Sequence, residues 1–156
     1  MMNKFGMAIF CFILTPLAFA ISPQKGSPSL ESFEYRQSSN YPEFSIIGSW
    51  TYKALNSTCE DAYIFQPDGT MRGTSGDQVV DSTYTISAKH TRYAFYELKH
   101  QIVSTNDQKD CEGEQSEVGH QGLHYIRYDL TGEHMIMCED ETALLYNCFG
   151  PLTRNQ

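Results

Sequence analysis

Short segments in which apolar and polar residues alternate recur about every ten residues from Phe44 onwards, and turn residues separate them. Successive side chains of a β-strand point to opposite faces, so this alternation is typical of half-buried strands. The stretch 59–76 is the clearest case, because Tyr63 and Phe65 share one face and Pro67-Asp68-Gly69 then reverses the chain. No stretch shows a helical period over three turns. The pattern therefore predicts an all-β domain.

Eight strands are predicted, with 106–122 as the longest loop and Gly150-Pro151 as the end of the last strand. Eight antiparallel strands in meander order form one sheet, and no helix is predicted to cover it. Closing this sheet on itself buries its apolar face and pairs its two edge strands. We therefore predict a small antiparallel up-and-down β-barrel. The predicted strands are 46–53, 61–66, 70–74, 79–87, 92–105, 124–130, 133–138 and 143–149.

The first twenty residues have the pattern of a signal peptide. Lys4 supplies a basic start, 5–17 is an apolar run, and Ala18-Phe19-Ala20 matches the small-residue pattern of a cleavage site. An uncleaved membrane anchor is the alternative, which the short apolar run disfavours. We expect cleavage after Ala20, a periplasmic or secreted product, and no stable membrane anchor after cleavage.

The segment 21–45 is rich in Ser, Pro, Gln, Asn and Glu and has no sustained period, which predicts a flexible N-terminal arm. The barrel domain is then expected to cover 46–154. Removal of Lys4 with the signal peptide leaves ten basic against nineteen acidic residues, a net charge of −9. The basic residues are scattered singly, so nucleic acid is not expected as a partner.

Four cysteines remain after the predicted cleavage, an even number that in an exported chain predicts two disulfides. A zinc thiolate site would need paired C-x-x-C spacings, and the sequence has none. Three pairings are possible. In a meander, Cys59 and the loop that carries Cys111 fall at the same barrel end. We predict Cys59–Cys111 and Cys138–Cys148, and a link from Cys111 to Cys138 is the alternative that would overturn this choice.

Gly48-Ser49-Trp50, at the start of the first strand, resembles the Gly-x-Trp signature of the lipocalin and wider calycin barrels. In that family the tryptophan lies across one end of the barrel, and an arginine after the last strand packs on it. Arg154 is suitably placed to be that arginine, since a guanidinium stacks favourably on an indole. The resemblance implies a bacterial lipocalin-like domain that covers about 46–154.

Candidate metal ligands are weak, and no metal or other cofactor is predicted. His120 and His124, with His134 further along, could bind Zn²⁺, but Gly122 opposes the helix that would bring the first two to one face. Surface histidines are the alternative. An acidic cluster in the long loop fits a solvated surface better than a calcium site. It consists of Asp107, Asp110, Glu112 and Glu114.

Two functions remain in view, and an enzyme is a distant third because no Gly-x-Ser-x-Gly or other nucleophile pattern is present. The first is a binding module that holds a small, largely apolar ligand in the barrel mouth. The second is a protein-interaction factor, an inhibitor or envelope accessory protein, that acts through the disulfide-braced acidic loop 106–122. The residues predicted to face the interior and bind the ligand are Tyr63, Phe65, Tyr84, Tyr96, Ile126 and Tyr128.

Overall fold

The structure is a computed structural model that describes residues 43–141 and 145–155. The predicted signal peptide, and the predicted arm up to residue 42, lie outside the described residues. Among the described residues, no helix is long and apolar enough to cross a membrane. The strands are β1 (Gly48–Tyr52), β2 (Asp61–Phe65), β3 (Thr70–Ser75), β4 (Gln78–Ile86), β5 (Tyr96–Thr105), β6 (Gln121–Tyr128), β7 (His134–Cys138) and β8 (Cys148–Asn155).

Each strand pairs antiparallel with the next, and β8 pairs with β1 to close the barrel. The prediction of an eight-stranded antiparallel up-and-down barrel is therefore confirmed. Strand alternation sorts the connections to two ends. We call one the disulfide end, where 53–60, 76–77, 106–120 and 139–147 connect the strands. We call the other the tryptophan end, with the connections 66–69, 87–95 and 129–133.

The last strand differs from the prediction. It was expected at 143–149 with Gly150-Pro151 as its end, whereas β8 begins at Cys148 and runs through both residues to Asn155. The ladder pairs Met135 with Leu152 and Met137 with Phe149. Two residues of β8, Gly150 and Pro151, therefore oppose one residue of β7. This bulge places the proline where its missing N–H removes no regular ladder bond. Residues 142–144 lie outside the described ranges.

Two further strand starts differ from the prediction by more than two residues. β5 begins at Tyr96 rather than at 92, because Ala94 has a left-handed backbone with φ of 63° inside a turn that Thr91 and Phe95 close. β6 begins at Gln121 rather than at 124. Its earlier start shortens the long loop to 106–120 and places Gly122 opposite His100 in the ladder.

The tryptophan end is packed solid. Trp50 is fully buried there, and its indole N–H donates to the Ile46 carbonyl at 2.8 Å. The Arg154 guanidinium lies 4.1 Å from the Trp50 ring and donates to the carbonyls of Ser45, Ile47 and Gly132. The predicted packing of Arg154 on Trp50 is thus confirmed, although Arg154 lies within β8 rather than after it. The core continues through Phe65, Tyr84, Tyr96, Leu98, Ile126, Tyr128, Met135 and Leu152.

Both predicted disulfides, Cys59–Cys111 and Cys138–Cys148, are present at the disulfide end. The first joins the connection between β1 and β2 to the loop 106–120. The second joins residues that face each other across β7 and β8, with Cα atoms 4.0 Å apart. The connection between β7 and β8 spans positions 139–147, and β8 then begins at Cys148. The two crosslinks therefore hold three of the four connections at this end.

Candidate functional site

A cavity of about 850 Å³ opens at the disulfide end of the barrel. Its volume lies within the range of small-molecule sites in proteins. The floor is the upper surface of the core, formed by Phe65, Met71, Leu98 and Met137. The core therefore fills the tryptophan half of the barrel, and this cavity lies in the disulfide half.

Gly73 helps to make this space. It lies on β3 opposite Val80 of β4, and both residues line the cavity. A Cβ on Gly73 would stand 3.1 Å from a Val80 methyl and 3.6 Å from the Tyr63 ring. The missing side chain therefore leaves room between two strands that otherwise present side chains inwards.

Three aromatic rings stand beside the mouth. Phe149 meets Tyr52 edge-on at 4.6 Å between centroids and Tyr63 edge-on at 6.3 Å. Edge-to-face contacts of this kind are worth about 0.5–1.5 kcal/mol each beyond burial. They hold the rings on three different strands, β1, β2 and β8, in a fixed arrangement, so the mouth has a rigid aromatic wall.

Two histidines form a polar pair inside the barrel. His100 of β5 and His124 of β6 lie with their Nε2 atoms 3.3 Å apart and their rings nearly parallel. Both line the cavity. A contact between two ring nitrogens requires one to donate and the other to accept, which two neutral imidazoles can do. Gly122 makes the arrangement possible, since a Cβ there would overlap the His100 ring.

Burial first, and then the neighbouring His124 and His120, lower the pKa of His100 to about 4. Burial likewise lowers the pKa of His124, against an opposing effect of Glu139. A buried imidazole is charged at a desolvation cost, which is why the neutral form is favoured. Both rings are therefore neutral near pH 7 and add no positive charge to the cavity.

Carboxylates surround the entrance. Asp61 begins β2, Asp110 and Glu112 lie in the loop 106–120, and Glu139 follows β7; all four line the cavity. These carboxylates affect Tyr63. Burial first, and then the negative charges of Asp61 and Asp110, raise the pKa of its phenol to about 12. The mouth thus combines aromatic surface with negative charge.

One buried polar atom points to further bonding capacity within the cavity. Ser82 on β4 lines the cavity, is 1% exposed, and its hydroxyl has no hydrogen-bond partner among the described residues. Buried hydroxyls are nearly always bonded, because an unpaired one costs about 1–3 kcal/mol. A polar group of a guest molecule could supply the bond.

The six residues predicted to face the interior do so, but they divide between core and cavity. Phe65, Tyr84, Tyr96, Ile126 and Tyr128 are buried in the core, and Tyr63 packs partly buried against it. Of the six, Tyr63 and Phe65 line the cavity, whereas the other four belong to the packed tryptophan half. His100, Ser82 and Phe149 are lining residues that the sequence reading missed.

The three histidines considered as metal ligands lie at opposite ends of the barrel. His120 and His124 both line the cavity, whereas His134 lies at the tryptophan end, where its Nδ1 is 3.0 Å from Asp129 Oδ2. Although burial opposes it, hydrogen bonds from His134 and Thr131 hold the pKa of Asp129 below its usual value. Within 43–141 and 145–155, no three His, Cys, Asp or Glu side chains are grouped to hold a metal ion.

The acidic loop is folded onto the barrel rim. The Gln78 side chain donates to the carbonyls of Gln108 and Glu114, and Cys111 N–H donates to Ser75 Oγ at 3.1 Å. The Asp110 carboxylate, predicted as part of an acidic cluster, accepts N–H bonds from Glu112 and Glu114. It therefore organises the loop as well as charging the entrance.

No protein-family model matches the chain. No curated protein matches it. No solved structure matches it.

Proposed function

We propose that this protein is an exported binding module that holds a small, largely apolar ligand in the cavity at the disulfide end. The observation that carries the proposal is the half-hollow barrel: a cavity of about 850 Å³ above an apolar floor, beside a packed half. Ligand sites are typically concave, mostly apolar and furnished with a few placed polar groups. Here Ser82, His100 and Tyr63 supply such groups.

The crosslinks support the remaining parts of the proposal. Two disulfides persist in oxidising compartments, which agrees with a periplasmic or secreted protein. Closure by eight strands, with Arg154 packed on Trp50, agrees with a lipocalin-like barrel. The proposal therefore includes a lipocalin-like barrel, because eight-stranded barrels of this kind have room for a single small ligand.

The proposal can be tested with a substitution in the cavity wall that fills the space a ligand would occupy. Val80 faces inwards beside Gly73, so Val80→Phe places a ring in the space that a ligand would use. Thr83, three residues on, is exposed on the outer face of the same strand and provides the control Thr83→Phe. Binding is measured with N-phenylnaphthylamine, a neutral dye that fluoresces in apolar surroundings.

The proposal predicts saturable, one-to-one dye binding to the wild-type protein and to Thr83→Phe, and at least about tenfold weaker binding to Val80→Phe, because the lost space removes apolar contacts. Equal binding to all three proteins would place the dye outside the cavity. That result would contradict the proposal, as would a lack of saturable binding to the wild-type protein.

A protein-interaction factor is the second candidate, and the ordered acidic loop favours it. Loop 106–120 is crosslinked through Cys111 and bonded to Gln78 and Ser75, so it presents a fixed surface. Its acidity would favour a basic partner. Glu114→Lys and Glu117→Lys together, at exposed loop positions outside the cavity lining, should abolish capture of such a partner and leave uptake of the neutral dye unchanged. The cavity makes the first candidate the stronger.

A further inference from the structure

The chemistry of the cavity also indicates what kind of ligand it holds, and this inference rests on the proposed function. We propose that the ligand is an amphiphilic organic cation, with an amine or quaternary ammonium head at the mouth and an apolar tail on the floor. Three features favour such a ligand: the charge of the lining, the aromatic wall and the apolar floor.

The carboxylates of the cavity lining have no basic counterpart other than histidine. Four carboxylates line the cavity, and none of its described lining residues is lysine or arginine. Lys53 and Lys109 belong to connections at the same end, but both are exposed and neither lines the cavity. His100 and His124 do not offset the carboxylates, because burial keeps both neutral near pH 7. An entering head group therefore meets a negative potential.

The aromatic wall adds a second preference for a cation. Tyr52, Tyr63 and Phe149 stand together at the mouth, and Asp61 begins the strand that carries Tyr63. An ammonium group is attracted by the faces of such rings, with a larger gain where water is excluded. Aromatic rings beside a carboxylate are the chemistry by which proteins bind quaternary ammonium groups.

The floor of the cavity determines the chemistry of the other end of the ligand. Phe65, Met71, Leu98 and Met137 offer apolar surface without charge, so the tail of an amphiphile would lie there. Ser82, buried and unpartnered among the described residues, pairs with the floor residue Met71 in the ladder and can bond a polar atom of the ligand. A fatty acid or phosphate ester fits poorly, because its anionic head would meet carboxylates without a lysine or arginine to pair with.

The test compares three ligands with the same tail: decylamine and decanoate, each below its micelle concentration, and decanol below its solubility limit. Dissociation constants are measured near pH 7 by isothermal titration calorimetry with the disulfide-intact protein. We expect decylamine to bind at least about tenfold more tightly than decanol, and decanoate more weakly than decanol. The preference should shrink as sodium chloride is added, since salt screens charges at the mouth.

Two variants test whether the preference for decylamine arises from the carboxylates at the cavity entrance. Asp61→Asn and Glu139→Gln remove charge at the entrance, whereas Asp110 is avoided because its carboxylate holds the loop. Glu133→Gln removes an exposed charge beside the tryptophan end and is the matched control. The first two should weaken decylamine binding by about threefold to tenfold and leave decanol binding unchanged. Glu133→Gln should change neither.

The outcomes separate this inference from the proposed function. Tight binding of decylamine that depends on Asp61 and Glu139 supports both. Binding of decanol or decanoate with equal or greater affinity than decylamine overturns the cationic ligand and leaves the binding module standing. A lack of binding of all three ligands overturns both. A preference for decylamine that persists unchanged in the two variants also overturns the inference, since the charge would then act elsewhere.

Discussion

His100 and His124 face each other inside the barrel with their Nε2 atoms 3.3 Å apart, held by adjacent strands and by the missing side chain of Gly122. One ring must donate and the other accept, so the pair needs at least one neutral imidazole. Protonation of both would place two like charges in contact in a partly buried site. The pair is therefore stable only above the pH at which both rings are charged.

The first prediction concerns acid stability. Burial lowers the pKa of His100 from 6.5 to about 4. Between these values the unfolded chain binds more protons than the folded one, so the free energy of unfolding falls as pH is lowered from 6.5 towards 4. Below about 4 the effect levels off, because the ring is protonated in both states.

Urea denaturation of the wild-type protein and of His100→Asn, at about pH 7 and about pH 4.5, checks this prediction. The carboxylates contribute to both proteins alike, so the difference reports the histidine. The wild-type protein should lose about 1–2 kcal/mol more than the variant, less than the full shift implies because the ring is partly open to solvent. Equal losses would show that His100 is not held neutral by the fold.

A second prediction tests why Gly122 is glycine. A Cβ at this position would overlap His100 Nε2, so Gly122→Ala must turn the His100 ring away from His124. We expect a loss of about 1–3 kcal/mol in the free energy of unfolding, because both ring nitrogens lose their partner. Imidazole nitrogen shifts in NMR spectra should change for both histidines. Gln121→Ala, at an exposed neighbouring position, should alter neither stability nor the shifts; unchanged shifts in Gly122→Ala would contradict the account.

A third prediction compares two arginines. Arg154 stacks on the buried Trp50 and donates to three carbonyls, whereas Arg72 pairs with Asp81 on the surface. Arg154→Ala should destabilise the fold by about 2–4 kcal/mol, because charged hydrogen bonds and a buried ring contact are lost. Arg72→Ala should cost less than about 1 kcal/mol, as exposed ion pairs do. Equal melting temperatures for the two variants would contradict this ranking.

A fourth prediction concerns the two crosslinks. Cys59–Cys111 closes a separation of 52 residues and Cys138–Cys148 one of 10. In the chain-entropy account the longer loop gives the larger stabilisation, about 4 against about 3 kcal/mol. Paired serine substitutions at each bridge, followed by urea denaturation, measure both values. A larger loss on removal of Cys138–Cys148 would show that the crosslinks act mainly through native-state contacts.

The sequence predicts the barrel well because strand alternation and turn chemistry are local signals. The meander also brings Cys59 and the loop of Cys111 to one barrel end, which favours their pairing but leaves a link from Cys111 to Cys138 open until the structure is known. The predicted end of the last strand was wrong because Gly150-Pro151 is typical of a strand end, and the bulge that accommodates these residues within β8 depends on the partner strand. Such pairing is not a local property.

The site was predicted less completely. Strand parity gives the inward direction of Tyr63 and Phe65, but whether their surroundings are filled depends on how side chains from opposite walls meet. His100 shares its face with Tyr96, Leu98 and Ile102 and could have been found by that parity. His100 was not predicted as a site residue, because the prediction of inward-facing residues rested on hydrophobic side chains. Its pairing with His124 requires the register of β5 and β6.

Native mass spectrometry tests the central claim, that the disulfide-end cavity holds a small ligand, most directly. Wild-type protein, Val80→Phe and Thr83→Phe are purified from the producing cells, and each native mass is compared with the mass after denaturation. We predict that the wild-type protein and Thr83→Phe carry an excess mass equal to one small organic molecule, lost on unfolding, and that Val80→Phe carries none. An adduct retained by Val80→Phe, or a wild-type protein that carries none and takes up none of the added amine, alcohol or acid, would contradict the account.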